Sequence, residues 1–265
     1  MNKYRVRPGQ KVDLADYDPD DTHLLPGGKE EAREKTPAIQ RRLAGLQELL
    51  FAGHEWKLLI VLQGMDTSGK DGTIRHVMVG FNTSGTRVAS FRKPTIDELD
   101  HDYLWRVHRQ VPAKGEVVVF NRSHYEDVLV VRVHELVPKA IWRRRYQQIE
   151  NFEQMLVEEG CVLLKFFLHI SKGEQRKRLQ ARLDDPTKRW KFQRGDVEER
   201  KLWTEYRTAY EEALSKTSTD EAPWYVVPAN QKWYRNYIVG SVIADALERL
   251  DMKYPQPDLS NIVIK

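Results

Sequence analysis

The sequence predicts an α/β fold, a three-layer αβα sandwich in which helices cover both faces of a parallel five-stranded sheet. Three observations predict it. The runs KLLIVLQ (57–63), EVVVF (116–120) and CVLLKFFLHI (161–170) are apolar without alternation, as strands buried on both faces must be. Segments with helical spacing separate them, so strand and helix alternate along the chain. A glycine-bearing loop, GMDTSGKDG, follows the first run and opens a helix, the arrangement that places a ligand at the carboxyl edge of such a sheet.

Residues 1–35 are polar and irregular, with prolines, a Gly pair and mixed charge, and read as an extended arm that either wraps the following domain or stays mobile. The domain itself spans 36–265. Thr36 and Pro37 suit an N-cap and a first helical position, Ile39, Leu43, Leu46 and Leu50 recur on one face, and Gly53 closes that helix. The first strand is 57–63, with a helix from Gly69. TRVASF (86–91) is the second strand, and 97–110 has the period of one helix. EVVVF is the third strand, followed by a helix over 138–159 that stops at Gly160. Residues 161–170 form the fourth strand, 172–184 and 196–216 two charged helices, WYVVPA (224–229) the fifth strand, and 231–250 a closing helix.

Composition removes several function classes. With 40% hydrophobic and 31% charged residues the chain has material for a sizeable core and a well-solvated surface. No stretch approaches the ~20 apolar residues of a membrane span, and the N-terminus lacks the apolar core of a secretory signal. The single cysteine, Cys161, rules out an internal disulfide framework and fits a reducing cytoplasm; its apolar neighbours mark a buried, inert thiol. A net charge of +4 is too small to argue for nucleic acid by itself.

The loop meets the pattern G-x-x-x-x-G-K at Gly64, Gly69 and Lys70. In such a loop the residues from Gly64 through Met65, Thr67 and Ser68 to Gly69, Lys70, Asp71 and Gly72 cradle phosphate: tight backbone turns converge N–H groups, the helix start adds positive potential, and the lysine adds a charge. Two carboxylates in it, Asp66 and Asp71, need a reason, because a carboxylate ~4–5 Å from a phosphate oxygen repels it by several kcal/mol at intermediate dielectric. A divalent cation between them removes the conflict, and Mg²⁺ takes carboxylates, water and phosphate oxygens. Asp66 is therefore the metal-binding candidate. Asp71 either holds a metal-bound water or, as an acid in the first turn, caps the helix.

The third strand ends in NRSHYEDVLV (121–130). Asn121 stands where phosphate-loop enzymes often present an acid to the metal shell, and Arg122 is placed to bridge donor and acceptor phosphates. His124 reads as a hydrogen-bonding residue rather than a phosphohistidine. Residues 171–200 are dense in cations. Arg178 and Arg182, four apart, share a helix face, and the break at Asp185–Pro186 before TKRWKF suggests a hinged lid that brings arginines over phosphates and excludes water.

Taken together, GMDTSGKDG, NRSHYEDVL, LKFFLHISKGEQRKRLQARLDDPTKRWKF and APWYVVPANQKWYRN resemble polyphosphate kinase family 2, from about residue 30 onward. The resemblance implies a thymidylate-kinase-like P-loop fold with a helical lid, and phosphate transfer between inorganic polyphosphate and nucleotides with Mg²⁺. It matches Asp66 and Lys70 to the family's essential loop residues, Arg122 to its second-motif arginine, and Arg178 and Arg182 to its lid arginines. It implies a homodimer or homotetramer, with adenine and guanine nucleotides as acceptors. NRSHYEDVL is similar to the subgroup that accepts both AMP and ADP, although the family's frequent Asp-Arg-Ser is here Asn-Arg-Ser. Lys93, Asp102, Arg106, Asn121, Arg122 and Glu126 are then candidates for holding the nucleotide, with an exposed i,i+4 pair as the plainer account of Asp102 and Arg106. Three rival readings are an ATP-dependent nucleoside-monophosphate kinase of the same fold, a non-catalytic phosphate binder suggested by Asn121, and a nucleic-acid-binding protein using the basic aromatic segment 186–194. The last leaves Asp66 and Asp71 unexplained.

Overall fold

In a computed structural model that describes residues 1–260, five strands form one parallel sheet. They are β1 (Lys57–Gln63), β2 (Thr86–Ser90), β3 (Val117–Asn121), β4 (Cys161–His169) and β5 (Trp224–Pro228), in the order β2-β3-β1-β4-β5. Every neighbouring pair is parallel. Leu58 to Leu62, Val117 to Phe120 and Trp224 to Val227 are buried throughout, which is why these runs lack polar alternation.

The helices are α1 (Gly28–Gly53), α2 (Lys70–Val77), α3 (Ile96–Leu99), α4 (Trp105–His108), α5 (Val130–Val133), α6 (Lys139–Glu158), α7 (Lys172–Asp184), α8 (Arg194–Lys201), α9 (Trp203–Lys216) and α10 (Lys232–Glu248). Helices α1, α2 and α10 pack as one layer; α5, α6 and α9 form the other. The apolar side of α6, with Trp142, Tyr146, Ile149, Phe152 and Leu156, is buried.

Three boundaries differ from the sequence reading. The first helix starts at Gly28, with Pro37 inside it. Its first turn carries Glu30 and Glu31 and gains from the macrodipole. Thr36 is no cap: its Oγ1 donates to the Ala32 carbonyl at 2.6 Å. Arg33 and Pro37 lie on the exposed side, where the carbonyl that proline leaves unbonded meets water. The helix expected over 97–110 is two short ones, because two caps compete within it: a Thr95–Glu98 capping box opens α3, and Asp102 Oδ1 accepts from the N–H groups of Leu104 and Trp105 to open α4. The segment 196–216 is likewise divided at Leu202.

The N-terminal arm lies along the open edge of the sheet. Arg5 makes an antiparallel bridge to Tyr225, and the Val6 N–H donates to the Trp224 carbonyl at 2.8 Å. Tyr4, Val6, Val12, Leu14 and Leu25 are buried, and the Tyr4 and Tyr234 hydroxyls are 2.6 Å apart. The β5 edge is thereby covered.

Strand register places the site. Leu62 pairs with Asn121, Gln63 with Phe167, and His169 with Pro228, so the strands end together at one edge. β1 lies where the strand order reverses, and the crevice beyond its carboxyl end is where such sheets bind ligands.

Candidate active site

The loop between β1 and α2 turns through Gly64 (φ 151°), Thr67 (φ 66°) and Gly69 (φ 103°). A Cβ at Gly64 would lie 2.8 Å from both the Leu168 carbonyl oxygen and Ser68 Oγ, so no other residue fits there without a shift. Helix α2 opens at Gly69 without a side-chain cap, so its first-turn N–H groups are left for a ligand. The hydroxyls of Thr67 and Ser68 are buried and have no hydrogen-bond partner among the described residues. Lys70 folds back over the loop, donating to the Gly64 carbonyl at 2.8 Å. Burial, and next the nearby Arg122, hold its ammonium down at about 8.

The second motif reaches the loop from β3. Arg122 takes φ 61°, a left-handed turn that returns its guanidinium to Asp66 Oδ1 at 3.0 Å. Asn121 Nδ2 donates to Asp71 Oδ1 at 2.8 Å. Glu126 sits behind them: burial raises its carboxyl, and Arg122 and Lys70 only partly offset that. Gln63 donates to Ser123 Oγ at 3.1 Å and so ties the end of β1 to this turn.

A buried ionic network supports the turn from below. Lys165 on β4 pairs with Glu153 Oε2 on α6 at 2.5 Å; both side chains are at most 2% exposed. Tyr125 donates to Glu153 Oε1 at 2.8 Å, and His124 Nε2 lies 3.1 Å from the same oxygen. Burial pushes the Glu153 carboxyl up, but Lys165 and His124 outweigh it and hold it below the usual range. His124 is thus a buried hydrogen-bonding residue, held away from solvent.

The cationic segment forms α7, a turn containing a short 3₁₀ stretch at Arg189–Lys191, and α8. At the turn, Lys191 Nζ comes to 3.9 Å from Asp71 Oδ2. Its two expected phosphate-facing arginines are placed differently from the sequence reading. Arg178 is buried against the back of the loop, donating to the carbonyls of Thr67 and Ser68 (both 3.0 Å) and of Ala229 and Asn230 (2.6 and 2.9 Å). With Nε also on Glu174 at 2.8 Å, its donors are committed to shaping the loop. Arg182 braces the turn through the Lys191 carbonyl at 3.4 Å and Asp196 at 3.9 Å. Gln175 adds a bond to the Asp66 carbonyl at 3.2 Å.

The family profile described as Polyphosphate kinase 2 (PPK2) matches residues 27–256. The chain belongs to the polyphosphate kinase 2 family. A protein of Meiothermus ruber named AMP/ADP-polyphosphate phosphotransferase is 59% identical over 261 residues, covering 98% of each chain. An ADP-polyphosphate phosphotransferase of Rhodopseudomonas palustris is 46% identical over 266 residues, covering 96% of this chain and 92% of that one. The crystal structure of polyphosphate kinase 2 from Arthrobacter aurescens TC1 matches with a TM-score of 0.93 at 46% identity, over 97% of this chain and 91% of that one. The parallel five-stranded P-loop-type fold is therefore the fold of the polyphosphate kinase 2 family.

On this polyphosphate kinase 2 scaffold the structure brings Asp66, Lys70, Asp71, Asn121, Arg122 and Glu126 to one place, while the other three candidates follow β2, whose last residue Ser90 pairs with Asn121. Lys93 is exposed after β2. Asp102 caps α4. Arg106 is buried, donating to Glu98 at 3.0 Å and to the Arg92 carbonyl at 2.9 Å, over the Phe91 ring. Asp102 and Arg106 therefore do not form the exposed i,i+4 pair: each is committed to the backbone or acid nearest it. Sequence reasoning missed Gln63, Glu153, Lys165 and Arg235. Gln63 and Lys165 are polar residues inside apolar strands, a signal that was available. Arg235 lies within the segment APWYVVPANQKWYRN that carries the family resemblance, but nothing in its spacing points to the loop it meets in space. Cys161 is buried, and burial pushes its thiol up to about 12, as expected for an inert residue.

Proposed function

We propose that this protein transfers phosphoryl groups between inorganic polyphosphate and AMP or ADP, with GMP and GDP as further acceptors. The observation that carries the reading is the Arg122–Asp66 contact at the mouth of the phosphate loop, beside Lys70. It joins a phosphate-binding cation to a carboxylate within a cradle whose hydroxyls have no partner among the described residues. The names of the Meiothermus and Rhodopseudomonas relatives support the same acceptors.

A terminal phosphate oxygen of the nucleotide attacks the end phosphorus of the polymer. A P–O bond forms, the bridging P–O bond breaks, and the shortened polymer leaves as an oxyanion. The attacking oxygen is already ionised, so no general base is required. Lys70, Arg122 and the first-turn N–H groups of α2 neutralise the transferred group and hold donor and acceptor in line. Arg178 fixes the loop those donors stand on, and the turn at Lys191 closes the site from above, with Arg182 setting its shape.

Asp66 and Asp71 offer carboxylate oxygens alone, and no group of three or more His, Cys, Asp or Glu among the described residues makes a closed metal cage. Such a donor set fits Mg²⁺, which takes one or two carboxylates and completes its shell with water and substrate phosphate. Asp66 would hold it, with Asp71 reaching it through water. When bound, Mg²⁺ supplies charge neutralisation on the phosphate oxygens.

A cytoplasmic homodimer or homotetramer that binds no nucleic acid completes the reading. No described helix is long and apolar enough to cross a membrane. Exposed Val88, Ile96 and Leu99, on and just after edge strand β2, give an oligomer an apolar surface to use.

The test is a coupled assay with AMP, ADP, GMP and GDP in turn and polyphosphate as sole donor. ATP should appear from ADP faster than disproportionation of ADP supplies it. ATP formation that is unchanged when polyphosphate is omitted would instead identify an ATP-dependent nucleotide kinase.

A further inference from the structure

The segment APWYVVPANQKWYRN marks the family, yet nothing in the site described above uses its arginine. Arg235 lies on α10 and is 2% exposed. Its Nη1 donates to the Ser68 carbonyl at 3.3 Å, the same oxygen that Arg178 Nη1 reaches at 3.0 Å. Its Nε and Nη2 are held by Asn236 Oδ1 at 3.1 and 2.8 Å. Two buried guanidinium groups from α7 and α10 thus meet at one carbonyl on the outer side of the phosphate loop.

The glycines of SGKDG make room for this arrangement. A Cβ at Gly69 would run into Arg235 Nη1, and one at Gly72 would lie 3.3 Å from Arg235 Nη2. Gly72 thus gives the arginine room inside α2, where alanine would be the better helix former but would crowd the guanidinium by a few tenths of an ångström.

The charge is unbalanced. Arg178 has Glu174 at 2.8 Å, while Arg235 has no carboxylate within ion-pair distance among the described residues. Burial and the neighbouring Arg178 push Arg235 down to about 9, and burial, Arg178 and Arg235 lower Lys232. A buried cation without a partner is costly unless a ligand supplies the opposite charge.

We propose that Arg235 is a positioning residue for the polyphosphate chain: seated in the notch left by Gly69 and Gly72, it locks the Ser68 peptide so that the loop's N–H groups face phosphate, and its uncompensated charge lies beneath the bound polyanion. The proposal rests on the functional reading above and assigns the donor side of that site. The donor is singled out because a polymer of phosphates offers this buried cation more negative charge than ADP does.

The experiment measures steady-state KM for polyphosphate and for ADP, and calorimetric binding of inorganic tripolyphosphate, in the wild type, R235K, R235M and G72A. R235M should raise the polyphosphate KM about tenfold, the loss of one charge-assisted contact, with KM for ADP within about twofold. R235K should recover part of that loss. G72A, which leaves the arginine in place but crowds it, should raise the same KM while its thermal midpoint holds or rises. A polyphosphate KM unchanged in R235M and G72A overturns the proposal. So does a loss of thermal stability in R235M whose folded fraction keeps wild-type constants, which makes Arg235 merely structural. If R235M does not fold, R235K and G72A decide alone by the same criteria. A wild type that neither uses polyphosphate nor binds tripolyphosphate would refute the functional reading itself, a different result from wild-type activity with indifferent variants.

Discussion

Asn121 Nδ2 donates to Asp71 Oδ1 at 2.8 Å, which ties the end of β3 to the first turn of α2. An amide suits that place because it can donate to a carboxylate. An aspartate there would face Asp71 with a second negative charge. In N121D the two acids should repel, lowering stability in chelator by about 1 kcal/mol. Added Mg²⁺ should restore it, and half-maximal activity should need less Mg²⁺ than in the wild type. Thermal unfolding in EDTA and in Mg²⁺ checks this. Equal stability of the two proteins in EDTA would refute it.

The Glu153–Lys165 pair carries a different prediction. Removing one partner leaves a buried charge uncompensated, so E153L or K165M alone should cost about 3–5 kcal/mol, whereas the double change should cost well below the sum of the two, what remains being the buried His124 and Thr217 groups that lose a partner. Denaturant unfolding of the two single variants and the double variant forms the cycle. Additive losses would mean that the charges do not act as a pair.

Asp127 makes stability depend on pH. Its carboxyl accepts from Arg145 at 2.9 Å, but burial is the larger influence and raises it to about 6. Between its ordinary value and about 6 the folded chain holds a proton that the unfolded chain has released, so Asp127 makes stability fall as pH rises through that window. Wild-type stability minus that of D127N should therefore drop by about 2 kcal/mol between pH 4 and 7. A difference that stays constant with pH would contradict the assignment.

Most of the fold was legible because parallel strands buried on both faces write themselves as unbroken apolar runs. The loop was legible because Gly64, Gly69 and Lys70 are close in sequence, and Arg122 because it follows a strand end. Less visible were features that depend on which residue lies across space. Arg178 shares a helix face with Arg182, and spacing alone suggested a joint role over phosphate; the fold turns Arg178 onto the loop's carbonyls and Arg182 onto the turn at Lys191. Asp102 and Arg106 have the spacing of a helix pair, but the caps at Thr95 and Asp102 break the helical period between them. Gly72 reads as part of the phosphate cradle, and only the fold shows that Arg235, well over a hundred residues away in sequence, packs against it.

The proposed chemistry rests most heavily on Asp66, which Arg122 holds at the mouth of the loop. The direct test is the initial rate of ATP formation from ADP, with polyphosphate as sole donor and saturating Mg²⁺, in the wild type and D66N. Wild-type turnover should be robust, and kcat for D66N should fall about a hundredfold or more with the fold intact, the scale expected when a charge that acts in the transition state is removed. Near-wild-type kcat in D66N would contradict it.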